Sequence, residues 1–386
     1  MADSTFQISS TPKLYISHPL WQYASGGMGD FEGIGGSLED LNETPIYLSA
    51  EEKIKLIQLN PSDYLTFPSF SDSANARAAE YVVTKELTNP DGSAIDTSNI
   101  WNFDYAMILG HNFASTGTAI RFQCIDNFTD QFQISTTNIV NHQDDGIPEY
   151  DGWSLLTLND QGTGVSNVMR ILFMNGLDTD SEIPIKIGSI MFGNSYEFPI
   201  NCSINTTTKF DYGVKQKQTL NGRTISTANW TKPSAWVDGN EPFGLGTSSG
   251  EDYGRRSGRR SWTMEFDSLA PSKVMNQNMM LNDNNYTNQD NQSAGAADGS
   301  SLYNIYKGVD YYTNVIHRCM ASHLPLVLQI DKDNNSADQF AIVRLNRDFQ
   351  ITQKTPNLYS IKVSFTNRYD KKLTTYIKNI LYYNRC

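Results

Sequence analysis

From residue 100 onward the chain reads as short apolar runs that alternate with polar positions and close on Asn, Asp or Gly. "NIWNFDYAMILGHN" ends an apolar run at Gly110, and "TAIRFQCID" and "QFQISTTNIV" alternate at period two. That period is the mark of half-buried strands. "WSLLTLND", "VSNVMRILFMNG" and "IPIKIGSIMFG" repeat it. Strands at this spacing predict a sandwich or jelly roll over 100–200. Its inward positions are Trp101, Ile108, Ile120, Phe122, Leu156, Ile171, Phe173 and Ile187. Before residue 100 the periodicity is weak. "ASGGMGDFEGIGGS" is a Gly-rich connector, and only "SAEEKIKLIQL" (49–59) predicts a short helix. Ser49 would be its N-cap, with Glu51 and Glu52 in the first turn.

Beyond residue 200 come long polar strands with an Asn221-Gly222 hairpin signal, then the alternating "SWTMEFDSL". The stretch 281–301 is low-complexity and polar, which predicts an exposed loop. Leu302, Ile305, Val309, Tyr312 and Ile316 then recur at helical spacing and predict a helix near 302–320. "LPLVLQID", "FAIVRLNRDFQITQ" and "LYSIKVSFTNRY" return to strand. The expected fold class is mainly β: a jelly-roll or β-sandwich domain plus a second β-rich domain with one packed helix. The expected division is an extension over 1–99, a jelly roll over 100–200, an assembly domain over 201–370 and a tail over 371–386.

Composition supports this picture. Hydrophobic residues make up 39% and charged residues 19%, both low for a globular enzyme, while 20 Tyr and 18 Phe suit pleated surfaces. No apolar run reaches membrane-spanning length, and the first residues show no basic and apolar leader, so neither membrane insertion nor secretion is expected. Cys124, Cys202, Cys319 and Cys386 stand too far apart to suggest a disulfide framework or a zinc site.

Enzyme signatures fail one by one. "LGTSSGE" lacks the G-K-[ST] ending of a phosphate loop, and neither G-x-S-x-G nor H-E-x-x-H occurs. His111 stands at a strand end where a catalytic base could sit. With no nucleophile to pair with it, it reads as a residue bonded to a neighbouring turn. Asp144, Asp145, Glu149 and Asp151 could supply a glycosidase pair but read as an acidic surface loop. "DKDNNSAD" (331–338) imitates a calcium loop, yet Ser336 stands where Gly is needed and Ile342 where the bidentate Glu belongs. It reads as a hairpin turn. The expectation is no catalytic residue, no cofactor and no metal: not an enzyme.

Charge raises one further question. The chain carries a net −12, yet "GRRSGRRSW" gathers Arg255, Arg256, Arg259 and Arg260. Over 251–273 five basic residues face four acidic ones, a poor phosphate groove inside an acidic field. Segment 144–182 holds eight acidic residues against Arg170 alone. Guanidinium forks bind carboxylates bidentately and are enriched at interfaces. A subunit or domain salt-bridge patch is therefore favoured over nucleic acid, with a solvated loop standing as an equal alternative. The end of the chain is a second basic segment, in which Lys371, Lys372 and Tyr382 belong to a run that wants a docking surface. That surface is either its own domain or a partner subunit.

"NIWNFDYAMILGHNFASTGTAIRFQC", with its strand ending in L-G-H-N and the following T-A-I-R-F strand, resembles the discoidin-like (galactose-binding-like) jelly rolls of tailed-bacteriophage tail proteins. "IPIKIGSIMFGNSYEFP" carries their I-G-x-I/L-x-x-G turn at 187–193. "GRRSWTMEFDSL" and "YSIKVSFTNRY" follow in the same order, and "PKLYISHPLW" looks like a tail-protein start. The resemblance covers about 100–369; the long N-terminal segment and the insertion at 281–301 depart from it. It implies a virion structural protein of the distal-tail, tip or baseplate type, joining the tail tube to tip or fibre proteins. Its implied partners are copies of itself in a hexameric ring and other phage tail proteins. The alternative is a carbohydrate-binding tail-tip or fibre protein that contacts a host surface glycan through Asp151 and Trp153. For Trp153 the reading as a core anchor at the start of "WSLLTL" is preferred.

Overall fold

A computed structural model describes residues 11–25, 34–40, 48–60, 63–67, 76–83, 104–126, 131–133, 136–141, 146–158, 168–175, 183–203, 206–228, 259–275, 310–346 and 349–367. The fold is mainly β, with antiparallel sheets and few helices. Before residue 100 lie β1 (Lys13–Tyr15), β2 (Ile34–Asp40), β3 (Leu65–Phe67) and β4 (Ala76–Val83). Then come β5 (Tyr105–His111), β6 (Thr118–Asp126), β7 (Gln131–Gln133), β8 (Thr136–Val140) and β9 (Gly152–Leu158). They are followed by β10 (Val168–Asn175), β11 (Ile185–Ile187), β12 (Ser189–Gly193) and β13 (Ser195–Glu197). Next are β14 (Thr207–Asp211), β15 (Val214–Gln218), β16 (Thr224–Ala228) and β17 (Arg259–Leu269). Last are β18 (Leu326–Gln329), β19 (Phe340–Leu345), β20 (Gln350–Thr355) and β21 (Leu358–Asn367).

The largest sheet runs β13-β1-β18-β19-β21-β17-β14, with β20 also paired to β21. Its central strands read "LVLQ" and "FAIVRL", near-continuous apolar runs. Such runs belong to strands covered on both faces. Leu326, Leu328, Ala341, Val343 and Leu345 enter one core, where Val315, Ile316 and Cys319 from the helical segment pack on them. Trp262, Met264 and Phe266 of β17 join that core at every second position, and Phe198 stacks on Phe266 at 3.9 Å. Val327, Phe340 and Ile342 point the other way, into a second core with Tyr105, Met107, Leu109, Trp153, Leu155 and Met191. Those six residues come from the sheet β12-β5-β9-β8, so helix, large sheet and smaller sheet form successive layers.

The second face of the smaller sheet, with Ala106, Ile108, Ser154 and Leu156, is equally buried. Phe113, just beyond β5, packs on Phe173 of the five-stranded sheet β2-β4-β10-β6-β7 at 5.3 Å. The jelly-roll stretch thus supplies a β-sandwich-like pair of sheets. Of its expected core, Ile108, Ile120, Leu156, Ile171, Phe173 and Ile187 are all buried. Trp101 and the Phe122 side chain lie outside the described residues.

Among its described residues the weakly periodic stretch before residue 100 contributes four strands, which the sequence pattern did not show. β1 and β3 have three residues each, too few for a period, and the Gly and Ala of β2 and β4 have little strand propensity. Their partners hold them in place. The short helix is as the sequence predicts: Ala50–Ile57, with Ser49 and Glu52 closing a capping box. The described part of the later helix is wound as a π-helix over Tyr312–His317, after which Met320 and Ala321 take positive φ.

Candidate functional site

Beyond β14 at the edge of the large sheet the chain leaves the layers. Among the described residues β15 and β16 pair only with each other, and all five residues of β15 are exposed. The turn between them follows from its residues. Gly222 takes φ 74°, Thr219 N donates to Arg223 O at 2.9 Å, and Gly222 N donates to Thr219 O at 2.9 Å. This is the hairpin that Asn221-Gly222 announces. Leu220 at its tip is fully exposed, and Phe210, Tyr212, Val214 and Ile225 are each about half exposed. A lone two-stranded hairpin is marginal in water, and exposed apolar side chains spread along such an arm offer apolar area to a partner. Over 207–228 four cations stand against one carboxylate, a balance of +3 on a chain of −12.

The second pair of the arginine knot stands where this arm joins the sheet. Arg259 opens β17 opposite Asp211, and Arg260 lies opposite Phe210, its guanidinium 5.9 Å from the ring centre. Arg260 is therefore part of the arm's own packing. Arg255, Arg256, Lys371, Lys372 and Tyr382 lie outside the described residues. So do Asp144 and Asp145, while Glu149 is exposed.

His111 is buried, and its Nε2 lies 2.9 Å from Ser154 Oγ, a partner the sequence could not name. Nδ1 accepts from Phe113 N–H at 3.4 Å, which leaves the ring proton on Nε2. A base for Ser154 would need the opposite tautomer. The ring also stacks on Phe113 at 4.4 Å, and burial lowers its pKa to about 3. His111 thus ties the end of β5 to the turn after it and to β9. Asp151 accepts from Ser115 N at 3.0 Å and from the Ser115 hydroxyl. The Trp153 indole is 0% exposed, edge-on to Phe340 at 5.1 Å, and presents no ring face to a sugar. Segment 331–338 links β18 to β19 as a hairpin turn, its carbonyls at Lys332 and Asn334 gathered by the Gln329 amide.

Two features escaped the sequence. The exposure of Phe210, Tyr212 and Leu220 is written nowhere locally, because "KFDYGVKQKQTL" alternates like an ordinary half-buried strand. The neighbours of Arg259 depend on strand register across the whole sheet. The class defined by fold and site is a layered antiparallel β protein with a projecting basic, apolar-tipped arm. No protein-family model matches the chain, and neither a curated protein nor a solved structure does.

Proposed function

We propose that the protein is a structural component of a bacteriophage tail, of the distal-tail, tip or baseplate type, that assembles with copies of itself. The arm over 207–228 carries the reading of assembly. Its exposed apolar side chains need cover, and its +3 balance suits the acidic surface that the rest of a −12 chain must present. An arm on one side of a subunit, received by a different surface of the next, generates head-to-tail contacts that close into a ring when the rotation allows. The place in a tail rests on the likeness of "YAMILGHN", "IGSIMFG" and "WTMEFDSL" to tail-protein strands.

The test is electron microscopy of phage particles labelled with antibodies raised against the arm, alongside negative-stain images of the purified chain. Label at the tail end and rings in the purified sample are expected. Particles without label would remove the tail reading, and a strictly monomeric chain would remove the assembly reading.

A further inference from the structure

Lys209, Ser261, Thr366 and Arg344 occupy four adjacent strands in register: Lys209 faces Ser261, Ser261 faces Thr366, and Thr366 faces Arg344. Neighbouring strands lie about 4.8 Å apart, so the four form a row roughly 14 Å long on one face of the sheet. The alternate positions Trp262, Phe365, Val343 and Leu345 point into the helix-covered core, which puts the row on the opposite face. Arg259 stands two residues before Ser261, hence on the same face, opposite Asp211. These six residues line a cleft of about 330 Å³. Ser322 and Asn346 add a hydroxyl and an amide at its end.

Among the described residues that line this cleft are three cations and one carboxylate, and Asp211 accepts from Gly213 N at 2.8 Å. Arg344 keeps its charge although nine-tenths buried, and after burial it is the second cause lowering the pKa of His323 beside it. Arg259 is the diagonal neighbour of Lys209 on the paired strand and Arg344 closes the far end of the row, so an anion seated between them is attracted from both ends. The Ser261 hydroxyl sits between the cations, where it can donate to a further oxygen of the same group, while Thr366 Oγ1 donates to Asn346 Oδ1 at 3.0 Å. We propose that this cleft binds an oxyanion, a carboxylate or phosphate group, held by Lys209, Arg259 and Arg344. The site is independent of where in a particle the chain works.

The experiment is calorimetric titration of the full chain with inorganic phosphate and, separately, with a peptide of residues 144–151 of this chain. Phosphate should bind with a Kd on the order of 1 mM. Lys209→Ala with Arg259→Ala should weaken it at least roughly tenfold, since two charge-assisted hydrogen bonds are lost. Lys53→Ala with Lys273→Ala removes the same charge outside both the cleft and the arm and should leave phosphate binding unchanged. Arg259→Gln serves as the milder variant if the double one unfolds. Phosphate displaced by the peptide identifies the source as carboxylates of a second copy, and phosphate binding alone identifies a free oxyanion. Either result supports the site. No binding of either probe, or equal loss in both double variants, overturns it, and rings seen in the microscope would then leave the assembly reading standing.

Discussion

His18 and Arg318, 300 positions apart, meet in the interior with Arg318 Nη1 donating to His18 Nε2 at 2.9 Å. Both residues are about 1% exposed. Burial, and then the guanidinium beside it, hold the His18 pKa well below its usual value. The ring is neutral because a second buried cation there would face Arg318 directly.

Acid should therefore loosen this protein earlier than its carboxylates alone would. His18 and His111 keep depressed pKa values in the folded chain, His111 at about 3, while both take up protons near pH 6.5 once unfolded. Their contribution is present above about pH 6.5 and is lost as the pH falls below it. Between pH 6.5 and 5 His111 alone should cost roughly 1.5 kcal/mol of stability, and His18 acts in the same direction. Urea midpoints compared at pH 7 and pH 5 check this, and a flat profile would contradict it.

Gly193→Ala should disrupt the packing of the N-terminal segment on β12. A Cβ there would stand 2.5 Å from the Ile16 carbonyl oxygen and 2.6 Å from His18 Cδ2. Backbone cannot step aside as a side chain can, so a loss of at least about 1–3 kcal/mol is expected. Thermal unfolding of the variant measures it. An unchanged melting temperature would mean that the segment does not cross Gly193 this closely.

Leu220→Ser with Ile225→Ser should leave folding alone and weaken self-association. Both side chains are exposed on the arm, where substitutions seldom shift stability by more than about 0.5 kcal/mol. Sedimentation velocity reads the association and urea unfolding the stability. A variant that still assembles like the parent would take the arm out of the interface.

Trp153→Ala should lower stability by about 3–5 kcal/mol, as large truncations in a closed core do. Circular dichroism during urea unfolding checks the size. A folded, equally stable variant that has lost glycan binding would instead restore the sugar-contact reading of this residue.

Strands announced by alternation were legible in the sequence, as was the helix whose cap is spelled out by Ser49 and Glu52. Legibility ended where a residue's environment is set by a distant partner. "SWTMEFDSL" shows which side chains point inward, but not that Ser261 will stand between Lys209 and Thr366. Nor does "PKLYISHPLW" reveal that Leu14 will face both Tyr196 and Leu328. The arginine knot was visible as composition, whereas its geometry belongs to the sheet.

The position of β1 between β13 and β18 also orders events during synthesis. Tyr15 emerges from the ribosome 314 residues before Gln329, to which its hydroxyl donates at 2.7 Å. At about 5–20 residues per second that interval is roughly 15–60 s. Throughout it, Leu14 and Tyr15 wait without one of the two strands that flank them in the finished sheet. Nascent chains stalled before residue 326 would hold an incomplete sheet with an open edge, and such edges recruit other chains. A cell making this protein in quantity thus has reason to shield β1 until β18 arrives.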